Sequence, residues 1–461
     1  MAFVLLGLVQ TAVVQGESKQ GATELPTGVE VVASGLTNPR GFTWDDEGNL
    51  YLALAGTGGD IAGTLDDGTP NGFLGGPTSS VVSVEDGCLV PVAEGLPSAR
   101  WADVGWIWGA MDVAMLNDEL YVLGGGAIEM ASAGARNGIY RVADDGSTEL
   151  VADLSAWFRA NPPTFVPPDM SWDGSLFDLE AGEGKLWLTE AVGGLVVTVS
   201  PEGEIALAAD LSEGHMVPTG LALDGEGGAY VGHETVIPYP DGLSNVVHVA
   251  ADGTVEAAWT GLTAVTGLTM SPDGTLYAAE MATNNSDEAP YLTPDSGRVV
   301  RQTGRDSHEV VISDISYPVG LEFGPDGKLY MTYPAWGPNA GEGLGALLRI
   351  DPEAAPISLA GLGTLPASCA EEAASLDVRT SSEAVTIVDF AFGPNALEIP
   401  AGTTVTWTNE DVAPHTATAD DGSFDSGQLG SGASFSHTFA TPGEYAYHCA
   451  YHPMVATITV S

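Results

Sequence analysis

The sequence predicts an all-β protein, a six-bladed β-propeller followed by a small β-sandwich. Three observations predict it. One strand-turn-strand phrase recurs six times between residues 28 and 362; glycine is frequent, at 60 of 461 residues; and from Asp377 onward the repeat gives way to short period-two strands around a set of His, Cys and Met side chains. A chain this long exceeds what one hydrophobic core serves, so two domains are expected. Acidic residues number 62 and basic ones 13, a net charge of −49. Such a field repels nucleic acid and anionic lipid and attracts cationic partners. Charged residues are nevertheless only 16% of the chain and hydrophobic ones 44%, which fits a folded, turn-rich protein rather than a disordered acidic tail.

The chain opens with an apolar run, Ala2 to Val14, too short to span a bilayer and followed by Gln15, Gly16 and Glu17. It reads as a signal peptide over residues 1–16, although the basic n-region is missing, and it predicts an extracytoplasmic protein, periplasmic or secreted. No other stretch is long and apolar enough to predict a membrane span.

The propeller occupies residues 28–362. The six copies of its phrase are Gly41 to Tyr51, Met111 to Tyr121, Phe177 to Trp187, Gly220 to Tyr230, Gly267 to Tyr277 and Gly320 to Tyr330. Each is two short strands around a tight turn, where Asp-Gly or Glu-Gly supplies the positive φ that a hairpin demands. A third strand follows each copy: Ser80 to Val84, Ile139 to Val142, Leu195 to Val199, Val246 to Val249, Arg298 to Arg301 and Ala346 to Ile350. Most units then return through a fourth strand resembling Glu149 to Leu154. A single four-stranded blade cannot bury its two faces, whereas a closed ring of six can. Val29 to Gly35 looks like a fourth strand without its first three and is expected to complete the last blade; Pro356 to Leu362 is its rival.

Propeller ligands sit in the central funnel, reached by loops before and after the inner strands. Glu190, His233, Glu234 and Glu280 follow second strands, while Asn38, Arg40 and His215 precede first strands. Converging at one mouth, they would suit a divalent cation or a small molecule; otherwise they are solvated polar loop residues. The propeller's histidines, His215, His233, His248 and His308, are too scattered for a polynuclear metal cluster. No Gly-x-Ser-x-Gly elbow or His-Glu-x-x-His pair is present. Of the three cysteines, Cys88 in the first blade and Cys369 in the tail leaving the last are candidates for a disulfide, which leaves Cys449 for another purpose.

Residues 363–376 are rich in Ala, Pro, Gly and Ser, lack the repeat and read as a linker. Residues 377–461 contain strands at Val385 to Val388, Ala396 to Ile399, Thr403 to Thr408, Ser434 to Phe439, Gly443 to His448 and Ala456 to Val460, a small sandwich. His415 lies on a loop early in this domain; Cys449, His452 and Met454 lie together on a late one. Two imidazoles, a thiolate and a weak axial thioether are the donor set of a blue-copper site, so one copper ion is expected on His415, Cys449, His452 and Met454. His448 precedes Cys449 on a strand and is expected on the opposite face. His437 is expected to face away from the apolar side formed by Phe435 and Phe439.

Two resemblances are carried by particular residues. Val31 to Arg40 (VVASGLTNPR), followed by Gly41, together with the LYLA run and the VADL-type unit ends, is similar to the scytonemin-biosynthesis propeller family of bacterial exported proteins, which implies a propeller and export but no defined reaction. Asn409-Glu410-Asp411-x-x-Pro414-His415 and Gly443-Glu444-Tyr445-x-Tyr447-His448-Cys449-x-x-His452-Pro453 resemble plastocyanin and amicyanin-like cupredoxins. That resemblance implies equatorial ligation by His415, Cys449 and His452, with the Asn409 amide bracing the ligand loops near the sulfur. The chain departs from it in having Pro453 alone between His452 and Met454, so that Met454 either reaches the metal from a contracted loop or packs in the core, leaving a backbone oxygen or nothing in its place. The expected function is one-electron transfer, with a basic redox partner drawn by the acidic surface and the propeller as a docking platform. The alternatives are a propeller oxidoreductase that passes its electron to its own copper domain, and a non-redox copper-binding or adhesion protein.

Overall fold

The computed structural model describes residues 25–461 apart from 65–69, 103–104, 132–134, 167–174, 289–290, 335–340, 363–364, 366, 369–381, 400–402, 421–422, 440–442 and 461. The predicted signal segment 1–16, Cys369 and most of the predicted linker 363–376 lie outside the described residues. The chain divides into two compact units, Met1–Ser368 and Cys369–Ser461.

The first unit contains six antiparallel sheets, each a meander that begins at a short strand. These first strands are Pro39–Trp44, Ala110–Leu116, Leu176–Gly182, Val217–Leu223, Val265–Met270 and Leu321–Phe323. Each packs against the first strand of the next sheet, and Pro39–Trp44 packs against Leu329–Tyr333 of the sixth, so the sheets close into a ring, a six-bladed propeller. Every copy of the sequence phrase spans the turn between a first and a second strand. Gly274 (φ 87°) and Gly327 (φ 71°) supply the left-handed residue at two of these turns; in the second copy Asn117 and Asp118 do so instead, with φ of 55° and 63°.

The ring is closed by a clasp. Val29–Leu36 runs antiparallel to Gly345–Ile350, with Val29 opposite Ile350 and Leu36 opposite Gly345. It becomes the outer strand of the sixth blade, and its Ala33 and Leu36 pack with Phe42 and Leu52 of the first. Each fully buried Leu or Phe here contributes about 1.5–3 kcal/mol, so the clasp secures both blades. The rival segment goes elsewhere: Ile357–Ser358 adds a parallel strand beside Ser307–Ile315 of the fifth blade. The first blade is longer than the repeat predicts. Pro70–Glu85 and Cys88–Trp101 form an extended hairpin, flanked by the short strands Ile61–Thr64 and Ile107–Trp108.

Polar side chains stitch neighbouring blades where backbone pairing stops. Thr189 donates to the Thr219 carbonyl at 2.7 Å, Thr219 to Val265 at 2.6 Å, Thr266 to Pro318 at 2.8 Å, and Thr332 back to Arg40 of the first blade at 2.8 Å. Asp112 accepts from the Leu179 N–H at 2.9 Å and Asp178 from the Leu221 N–H at 2.8 Å, each carboxylate reaching one blade onward. Gly41 is required beside Asp112, because a β-carbon there would stand 1.6 Å from the carboxylate oxygen.

The second unit is a two-sheet sandwich. One sheet has the order Ala391–Gly393, Ser382–Val388, Thr403–Asn409, Ser434–Phe439; the other Ala396–Ile399, Val455–Val460, Gly443–His448, Thr418–Ala419. Between them Trp407, fully buried, meets Phe424 at 5.2 Å and Tyr447 edge-on at 5.5 Å. His437 corrects an expectation. Residues two apart on a strand share a face, so it lies with Phe435 and Phe439 and packs on the rings of Phe439 and Phe424 at 4.9 and 5.0 Å. Desolvation there lowers its pKa.

Candidate metal centre

His415, Cys449 and His452 meet at one end of the sandwich. Cys449 Sγ stands 3.7 Å from Nδ1 of both His415 and His452, and the two Nδ1 atoms are 3.1 Å apart. Among the described residues this is the one group of three or more His, Cys, Asp or Glu whose donor atoms all lie within 4.8 Å of one another. His415 and Cys449 are buried and His452 is half-buried, so one imidazole edge reaches solvent.

The local chain holds each donor. Cys449 follows the strand Gly443–His448, and its N–H donates to the Met454 carbonyl at 3.1 Å while the Met454 N–H donates to the His452 carbonyl at 2.7 Å. This tight closure accommodates the single residue between His452 and Met454. The Met454 side chain is buried in the sandwich core beneath the loop. The Asn409 amide donates to the carbonyls of Ala413 and Leu429 at 2.8 and 2.9 Å and accepts from the Asp411 N–H, bracing the loop that carries His415. The hydrogen bond to the sulfur itself comes from elsewhere, the Thr416 backbone N–H at 3.4 Å. Sequence reasoning missed Thr416, whose hydroxyl also accepts from the Ala450 N–H at 2.8 Å and so ties the early ligand loop to the late one.

Asp411, also missed as a partner, stands 3.0 Å from Nε2 of His415 and accepts the backbone N–H groups of Asp389 and Phe390 at 2.9 Å each. Those bonds to the charged form, Phe390's foremost, hold its carboxyl below the ordinary value. An ionised carboxylate only accepts, so Nε2 carries the proton and Nδ1 is left with a lone pair aimed at the sulfur. The signal was in the sequence: Asp411 precedes His415 by four residues inside a tight loop. Phe390 lies edge-on to the rings of His415 and His452, at 5.3 and 4.8 Å. His448 turns away, its Nδ1 2.6 Å from Asp420.

Residues 360–460 match the family model described as a Cupredoxin-like domain. This part of the chain is a cupredoxin-like domain. Among solved structures, the chain is similar to a novel purple cupredoxin from Nitrosopumilus maritimus, with 37% identity, 17% of this chain and 99% of that one covered, and a TM-score of 0.16. It is likewise similar to a methionine-to-alanine variant of amicyanin in the Cu(I) form, with 27% identity, 17% and 82% covered, and a TM-score of 0.17. An oxidised proline-to-alanine variant of amicyanin gives 26%, 19% and 89%, and 0.17. A soft thiolate and two convergent imidazole nitrogens suit copper, and the cupredoxin-like domain accordingly takes a single copper ion.

Among the described residues the propeller's candidates do not assemble a second metal centre, and most are structural. Glu190 accepts the N–H groups of Ser175, Val192 and Gly193. Glu280 accepts from the Thr263 N–H at 2.5 Å and pairs with Arg298. Asn38 donates to the Gly56 carbonyl and Arg40 to those of Pro39 and Ile107. His233 gives Nδ1 to the Glu234 carbonyl, and burial lowers its pKa. These groups are buried rather than solvated because the blades close over them. His215 and Glu234 line one cavity together. Cys88 is disulfide-bonded and Cys449 is free; Cys369, its predicted partner, lies outside the described residues.

Deeper in the ring Asp112, Asp178, Glu180 and Glu322 face a channel of about 230 Å³. Burial raises all four carboxyls, Asp178 to about 6, Glu180 to about 8, and Asp112 and Glu322 well above the ordinary range, and repulsion from neighbouring carboxylates adds to it at Asp112, Glu180 and Glu322.

Proposed function

We propose that this is an extracytoplasmic electron-transfer protein in which His415, Cys449 and His452, with Met454 as a weaker sulfur donor, would hold copper. The observation that carries the reading is the convergence of one thiolate and two Nδ1 atoms within 3.7 Å. Copper in such a site supplies a one-electron couple, Cu(I) to Cu(II). The protein's part is to keep the donors fixed in both states. Asp411 sets the His415 tautomer, Thr416 offers the sulfur a hydrogen bond, and the sandwich core resists rearrangement. The half-buried edge of His452, beside the exposed rings of Phe390 and Tyr451, is the route by which an electron enters and leaves.

Export is supported by the apolar run at Ala2 to Val14 and by the motifs shared with exported scytonemin-type propellers. Among the described residues no helix is long and apolar enough to cross a membrane. We take the domains as a propeller over 28–362, a linker over 363–376 and the copper domain over 377–461. The propeller serves as a docking platform, and the net charge of −49 favours a basic redox partner whose binding weakens with salt. A second reading, a propeller that transforms a small molecule and passes the electron to its copper domain, has the cavity beside Glu234 in its favour.

The test is reconstitution with Cu(II), followed by metal analysis and a visible spectrum. One copper per chain with intense charge-transfer colour, bleached by ascorbate, restored by ferricyanide and absent in Cys449→Ser, is expected. A colourless Cu(II) protein would refute the thiolate site.

A further inference from the structure

The mouth of the propeller ring opens into a second cavity, of about 510 Å³, that the copper reading does not use. It lies where first strands begin and second strands end. Trp106, Trp108, Phe177 and Tyr239 supply aromatic walls, and aliphatic side chains of the third, fourth and fifth blades fill the gaps. This is the size and character of a site for an organic molecule.

Two polar groups on its wall have no partner. Glu234 is 8% exposed, and its carboxyl makes no hydrogen bond or ion pair among the described residues. The neighbouring Thr235 hydroxyl is buried and equally unpartnered. Burial alone pushes the Glu234 carboxyl up to about 8. A buried acid left without a donor is costly unless something brings one to it.

The lining chooses among ligand classes. A hard divalent cation needs about six to eight oxygen donors, whereas among the described residues of the wall it would meet one carboxyl, the His215 imidazole and a few hydroxyls set in mainly apolar surroundings. An anion would meet Glu234 in a chain of net charge −49, with no Lys or Arg among the described residues of the cavity wall. An organic cation gains on every count. Its charge pairs with the carboxylate, aromatic faces attract it, its apolar body fills the cavity, and its N–H groups reach Glu234.

We propose that this cavity binds a small aromatic ammonium compound, with Glu234 as its counter-ion. The inference is independent of the copper site and survives or fails separately from it.

Calorimetric titration of the full chain with three probes of one shape tests it: naphthylmethylamine as the ammonium, naphthalenemethanol as the neutral isostere and naphthylacetate as the anion. The ammonium should bind at least roughly tenfold more tightly than the alcohol, a difference one desolvated ion pair readily supplies, and the anion should not bind. Glu234→Gln should lower ammonium affinity at least about tenfold and leave the alcohol within about threefold. Val236→Lys, at an exposed rim position of the same cavity, should weaken the ammonium similarly by repulsion, and it decides the matter if the first variant fails to fold. Equal affinities for ammonium and alcohol, an unchanged ammonium affinity in a folded variant, or no binding of any probe at millimolar concentration would overturn the proposal.

Discussion

The Asp411 carboxylate lies 3.0 Å from Nε2 of His415, on the side of the ring away from the sulfur. Because the same carboxylate is anchored by two backbone N–H groups, the imidazole is fixed in both tautomer and rotation. Asp411→Ala should therefore lower copper affinity by about 10- to 100-fold, while Asp411→Asn, which can still accept, should lose less. Competition against a chelator of known affinity measures both. Equal affinity in wild type and the alanine variant would show that the carboxylate does not position the ring.

Met454 is buried in the sandwich core, so its role at the metal must be separated from its role in packing. Met454→Leu nearly conserves volume and should cost under about 1.5 kcal/mol of stability. Loss of the thioether removes an electron donor that favours Cu(II), and the reduction potential should rise. A spectroelectrochemical titration reads this directly; an unchanged potential in a well-folded variant assigns Met454 to packing alone.

The channel carboxyls give the propeller a pH dependence of known sign. Their folded-state pKa values lie above the unfolded ones, so the folded ring binds more protons and loses stability as pH rises from about 4 through the folded values. For Glu180 that window closes near 8. Glu180→Gln should thus melt higher than wild type at pH 8 and differ little at pH 4. Parallel melting curves across this range would contradict the assignment.

The clasp offers a test of ring closure. Ala33 is fully buried between the last blade and the first, and Ala33→Asp would place a charge there without a partner. A loss of at least about 3 kcal/mol is expected in the propeller's unfolding transition. Denaturant unfolding followed by tryptophan fluorescence measures it.

Much of this architecture is legible in the chain because local chemistry and global fold agree. The six phrases mark hairpins by their turn residues, and the strands that follow alternate as blades do. What escapes is non-local. The long hairpin Pro70–Glu85 with Cys88–Trp101 has no counterpart in the repeat to betray it. The threonines and aspartates that stitch blades look, in sequence, like ordinary strand residues. At the metal centre the ligand types and spacing announce themselves, whereas the Thr416 N–H belongs to the backbone and carries no residue signature. Glu190 and Glu280 read as candidate ligands because sequence cannot say that each already serves buried N–H groups.

The pairing of Val29–Leu36 with Gly345–Ile350, and the bond between Thr332 and Arg40, 292 positions apart, impose an order on biogenesis. At about 5–20 residues per second, the ribosome needs tens of seconds to make what lies between the two halves of the seam. Until then the first blade has an uncovered flank and the clasp strand Val29–Leu36 has no partner. Closure of the ring must wait for the last blade, and throughout synthesis the open edge of that clasp strand is a site for wrong pairing.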